Sequence, residues 1–188
     1  REKYGDLNMM WFLETWMTYE EAGEMIDSLA TALYDLGLRE GDCVALLLPN
    51  SFQYVISFYA CAKIGVIATG INPTYKPLEV LHHIELTEAK ALILLDALYD
   101  ELIKPIISKV EMEFMISTNI ADLASGISSA LKFIGKLVGK IPKGKVDFEP
   151  TYDFMELLNT PTKLPYASFD STEHTATYIM TGGTTGVP

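Results

Sequence analysis

The chain has 188 residues, 49% of them hydrophobic and 21% charged, with a formal net charge of -11 at pH 7. That length and apolar content suit one sizeable domain with its own core. The acidic balance excludes a general nucleic-acid binder, which needs clustered lysine and arginine, and no apolar run reaches the roughly 20 residues of a membrane-spanning helix.

The chain begins at Arg1 rather than methionine, which suggests trimming at that end, and no basic start followed by an apolar stretch marks a secretory signal. Cys43 and Cys61 fall in apolar segments and read as small buried thiols, without the partners a metal site would need. With no signal, they fit a reducing cytoplasm.

Residues 9–17 are aromatic and apolar around a short polar break, the pattern of two strands joined by a tight turn. Thr18 and Glu21 form a capping-box spacing, so a helix is expected from there towards Leu36. Ala22, Met25, Ile26, Leu29, Ala30 and Leu33 line its apolar face, and Gly37 stops it.

Residues 43–48 are apolar throughout and bounded by Gly41-Asp42 and Pro49-Asn50, as for a strand buried on both faces. A helix capped by Ser51 and ended by Gly65 follows, then a strand over residues 66–71, an Asn72-Pro73 turn and a helix from Pro77 through Leu86. The same plan repeats with a strand at 91–95, a helix over 98–110 and a strand at 114–116. Strands alternating with helices of ten or more residues predict an α/β fold, a mostly parallel sheet with helices on both faces, as one domain over residues 1–188.

Ile120, Leu123, Ala124, Ile127, Leu131, Ile134, Val138 and Ile141 recur at helical spacing, and Lys132, Lys136 and Lys140 sit between them. This predicts a basic amphipathic helical insertion around 120–141. Its apolar stripe reads first as a face packed on the domain. The sharper alternative is peripheral membrane contact, with lysines meeting anionic lipid. Residues 142–165, rich in proline, read as a meandering connection around a short helix at 152–158.

His82-His83 are adjacent, so they point to different helix faces and do not make one compact site; a surface and a half-buried histidine are expected. His174 reads as a polar turn residue. Asp96, Asp100 and Glu101 are spaced as a helix N-terminus rather than a carboxylate pair. No residue is assigned a catalytic role or a metal.

The chain closes on Thr181-Gly182-Gly183-Thr184-Thr185-Gly186-Val187-Pro188, behind a strand expected at 176–180. Glycines allow close backbone approach to a ligand, and threonines add hydroxyl donors, so the tract suits phosphate oxygens at a sheet edge. It lacks the spacing and Gly-Lys-Ser/Thr ending of the P-loop of kinases and GTPases. On composition alone a flexible hairpin or linker is the more ordinary reading.

The tract resembles the phosphate-loop signature Thr-Ser-Gly-Thr-Thr-Gly-x-Pro-Lys-Gly of the adenylate-forming (AMP-binding) enzymes, with Gly182 where serine is commoner, as among long-chain fatty acyl-CoA synthetases. The similarity extends upstream to Thr18-Tyr19-Glu20-Glu21, to the strand Val44-Ala45-Leu46-Leu47-Leu48-Pro49-Asn50, and to Lys63-Ile64-Gly65-Val66 leading to Asn72-Pro73. The resemblance implies the N-terminal part of an ATP-dependent acid-thiol ligase acting on a fatty acid. ATP, magnesium and CoA would serve it, and Thr181, Gly182, Gly183, Thr184, Thr185 and Gly186 would bind the β- and γ-phosphates. An aryl or amino acid adenylating enzyme is the alternative, and a non-catalytic nucleotide-binding or interaction module the rival from another class. Because the sequence stops at Pro188, before the signature's lysine, this chain alone is expected to be inactive.

Overall fold

The computed structural model describes residues 3–128, 131, 135, 141–163, 170 and 172–181. Strands β1 (Asn8–Phe12) and β2 (Thr15–Thr18) form an antiparallel hairpin. Leu13 and Glu14 turn it, both with positive φ. Thr18 caps α1 (Tyr19–Asp35) through the reciprocal capping box that the Thr18 and Glu21 spacing predicts. Such a cap is worth about 1 kcal/mol. Gly37, at φ 107, turns the chain out of the helix in a conformation a side chain would resist.

A six-stranded parallel sheet follows, built from β3 (Cys43–Leu47), β4 (Ile67–Gly70), β5 (Ala91–Leu95), β6 (Phe114–Thr118), β7 (Thr151–Asp153) and β8 (Thr177–Tyr178). Its order is β7-β6-β5-β3-β4-β8. Helix α2 (Phe52–Lys63) carries the chain from β3 to β4 on one side, and α3 (Pro77–Thr87) carries it back past β3 to β5. Right-handed crossovers in opposite directions must lie on opposite faces, which places these two helices.

The strands alternate accordingly. Val44, Leu46, Ala68, Ile93 and Ile116 point into a core shared with α1 and α2, through Leu29, Leu33, Phe52 and Ile56. Cys43, Ala45, Leu47, Leu92 and Met115 point into a second core with Val80, Ile84, Tyr99 and Ile103. β3 and β5 are buried at every position, which explains why their sequences are apolar without alternation. Burial pushes the Cys43 thiol up to about 11 and the Cys61 thiol up to about 12, so both stay protonated and inert, as expected of core cysteines.

Three expected elements differ. The helix expected over 98–110 is instead a 3₁₀ turn (Asp96–Leu98), a π turn (Tyr99–Ile103) and a second 3₁₀ stretch (Lys104–Lys109). Pro105 lacks an N–H and its ring crowds the carbonyl four residues back, so a regular α-helix cannot pass through it. The short helix expected at 152–158 begins later: Tyr152 belongs to β7, and Asp153 accepts from the Glu156 N–H to cap α4 (Phe154–Leu157).

The basic insertion also does not start as a helix at 120. Residues 120–123 and 125–127 form turns or bends, fixed by Asp122 Oδ2 accepting from the Asn119 N–H and Asn119 Oδ1 from the Ala121 N–H. Side-chain bonds of this kind compete with helix. Ala121, Leu123 and Ala124 are buried there, so this part of the stripe packs on the domain. Leu131 and Gly135 are helical, and the other residues from 129 to 140 lie outside the described residues. Among the described residues no helix is long and apolar enough to cross a membrane.

Candidate functional site

All six strands run parallel, so their carboxyl ends share one edge of the sheet, where ligands bind in open α/β folds. Strand β8, which precedes the glycine-threonine tract in the sequence, ends at that edge. The expected strand shortens to Thr177–Tyr178, which pairs with β4 through Ala68↔Thr177 and Thr69↔Tyr178. Thr181 follows and is exposed, while Gly182, Gly183, Thr184, Thr185 and Gly186 lie outside the described residues.

Two residues of ladder are little to hold a strand, and side chains add to it. The Thr177 hydroxyl donates to the Ala68 carbonyl at 2.6 Å, and the Thr69 hydroxyl donates to the Tyr178 carbonyl at 3.0 Å. Thr69 Oγ1 also lies 2.7 Å from His83 Nε2, on α3. His83 is 1% exposed rather than half-buried. It faces the sheet because residues 80, 83, 84 and 87 form the inner stripe of α3. Burial, with His82 adding, pushes its ring below the ordinary histidine range, so it is neutral.

At the neighbouring strand end, Gly70 leaves space beside the Tyr54 phenol: a Cβ there would sit 2.8 Å from Tyr54 Oη. Further along the same edge, between the ends of β5 and β6, stands a polar cluster that the sequence does not reveal. The Asn119 amide donates to both Asp96 carboxylate oxygens at 3.0 and 3.1 Å and to the Pro142 carbonyl at 2.8 Å. Gln53 Nε2 donates to the Asn119 carbonyl at 3.0 Å. Asp96 is thus paired with an amide, while Asp100 pairs with Lys104, so the acidic residues at 96–101 do not converge on one site.

His174 sits before β8, 3.8 Å from Glu40, which precedes β3. It therefore belongs to the opposite, amino end of the sheet. A recess of about 760 Å³ is at that end too, lined by charged residues including Glu85, Lys90, Lys109 and Glu113. Lys90 is tied there to Asp42 at 2.8 Å. Both features lie at the end of the sheet opposite to the one where β8 ends. Among the described residues no group of three histidine, cysteine or carboxylate side chains is placed to hold a metal ion, so none is assigned to magnesium.

A family model described as AMP-binding enzyme matches residues 2–188. Curated relatives called long-chain-fatty-acid–CoA ligase include proteins of Escherichia coli, 27% identical over 91% of this chain, and Haemophilus influenzae, 31% identical over 91% of it. The crystal structure of a long-chain-fatty-acid-CoA ligase from Archaeoglobus fulgidus superposes with a TM-score of 0.74 at 25% identity, over 98% of this chain and 33% of that one. The chain spans about a third of the length of the curated relatives it matches, 31% in both bacterial cases.

Proposed function

The chain belongs to the AMP-binding enzyme family, and from that premise we propose that it forms the N-terminal part of an ATP-dependent fatty acid-CoA ligase. In this reading a carboxylate oxygen attacks the α-phosphorus of ATP. The P–O bond to the β-phosphate breaks, pyrophosphate leaves and an acyl-adenylate remains. The CoA thiol then attacks the acyl carbon, the bond to AMP breaks, and a thioester forms as the thiol proton is lost.

The residues of this chain would serve the first step. Thr181, Gly182, Gly183, Thr184, Thr185 and Gly186 would donate backbone N–H and hydroxyl hydrogen bonds to the β- and γ-phosphates. That stabilises the charge growing on pyrophosphate as it departs. Magnesium would neutralise the same oxygens. Thr181 follows the carboxyl end of β8, a parallel edge strand, which supports a ligand-facing position for the tract.

What carries the choice of acid is the similarity over 91% of the chain to relatives named as fatty-acid ligases. Thioester formation by the longer protein that carries this chain, assayed with palmitate, benzoate and 4-coumarate in competition, tests it. Palmitate is expected to be consumed first. Preference for either aromatic acid would replace the fatty-acid reading with the aryl one.

A further inference from the structure

We propose that Thr69 and His83 are positioning residues that set the phosphate-binding tract in register with the sheet, through the carbonyl of Tyr178. The inference rests on the reading of Thr181 to Gly186 as a phosphate site.

The bonding follows from counting protons. The Tyr178 carbonyl only accepts, and Thr69 has a single hydroxyl proton, donated to that carbonyl at 3.0 Å. With that proton directed at the carbonyl, His83 Nε2, 2.7 Å from the same hydroxyl oxygen, is assigned as the donor to Thr69. The chain of bonds runs one way, from His83 Nε2–H to Thr69 Oγ1–H to the Tyr178 carbonyl. In this assignment the histidine is the Nε2–H tautomer and Nδ1 is a bare acceptor, for which no hydrogen-bond partner is found among the described residues.

A neutral ring is consistent with that arrangement, since a second ring proton on Nδ1 would be buried without an acceptor. Thr69 is fully buried and His83 nearly so, and a buried polar pair is held only when its bonds are made. The pair therefore orients the Tyr178 peptide, three residues before Thr181. Among the described residues β8 is two residues long and pairs with β4 alone, so few ladder bonds resist a tilt of that peptide. A displacement of about 1 Å at the base of a binding loop is enough to weaken its alignment with a reacting group.

The test uses the longer protein with Thr69→Val, which keeps the shape and removes the hydroxyl, and Thr69→Ser, which restores it. The valine variant is expected to raise KM for ATP about tenfold, the equivalent of one hydrogen bond, with KM for the fatty acid unchanged; the serine variant returns KM for ATP towards wild type. A merely structural role would lower the active fraction and leave both KM values alone, and that result would overturn the proposal. Should the valine variant fold poorly, His83→Leu is expected to raise KM for ATP and His83→Gln, whose amide can reach the Nε2 position, to spare it; equal behaviour of the two would overturn the proposal.

Amide hydrogen exchange on the same variants reads the positioning without any activity. Faster exchange in the segment 176–186, confined to it, is expected for Thr69→Val, and unchanged exchange there would contradict the proposal. A wild-type protein with no ATP-dependent activity would defeat the ligase reading alone, and the exchange comparison would still decide the positioning.

Discussion

Gly183→Val, made in the longer protein that carries this chain, is expected to reduce kcat/KM for ATP in acyl-CoA formation by about 100- to 1000-fold, the loss seen when one donor to a developing oxyanion is removed. A β-branched side chain in the middle of the tract obstructs the close approach of backbone N–H groups to phosphate oxygens. The loss should fall on ATP and the adenylation step. CoA transfer from a supplied acyl-adenylate should be nearly unchanged, because the pyrophosphate is by then gone. A thermal midpoint close to wild type serves as the folding control. A variant that turned over ATP at the wild-type rate would remove the tract from the site.

Asn119→Leu is expected to destabilise the protein by about 3 kcal/mol, a large share of the roughly 5–15 kcal/mol that holds a domain together. Leucine matches asparagine in size and removes all the side-chain bonds. Asn119 is 4% exposed, and its amide ties the end of β5, at Asp96, to the chain at Pro142. Its Oδ1 accepts from the Ala121 N–H at 3.2 Å. Each buried group left unpaired costs about 1–3 kcal/mol. Gly144 belongs to the same junction, since a Cβ there would overlap the Asp96 carbonyl. Urea unfolding measures the effect, and a change below about 0.5 kcal/mol, the range of an indifferent surface substitution, would show that the junction is not a structural tie.

The sequence reveals the elements of the sheet more fully than their arrangement. Residues 43–47 and 91–95 are legible because a strand buried on both faces must be apolar throughout, and both are buried at every position. The helices announce themselves by caps: Thr18 with Glu21, Ser51, and Pro77 at the start of α3. What competes with those signals is chemistry of a single residue. Leu98, Leu102, Ile103 and Ile106 keep helical spacing, yet Pro105 prevents a continuous helix. The stripe from Ile120 to Ile127 keeps it too, and the side-chain bonds of Asn119 and Asp122 favour turns.

Strand order is set by contacts between distant segments, and β7 is hidden for that reason. Thr151–Asp153 has no apolar run and becomes a strand only by pairing with β6. The candidate site divides in the same way. The tract is recognisable from its own residues and its place behind a strand. The Thr69 and His83 pair is not, because residues 14 positions apart meet only once α3 is laid across the sheet. Nor is the Asn119 cluster, which draws on Gln53, Asp96 and Pro142 from separate parts of the chain.

Fatty-acid-dependent exchange of labelled pyrophosphate into ATP tests the central claim most directly, because it isolates adenylate formation from thioester transfer. Run on the longer protein and on residues 1–188 alone, it should appear with the first and depend on added fatty acid, and should be absent with the second. Exchange by residues 1–188 alone, or none by the longer protein with any fatty acid, would contradict the account.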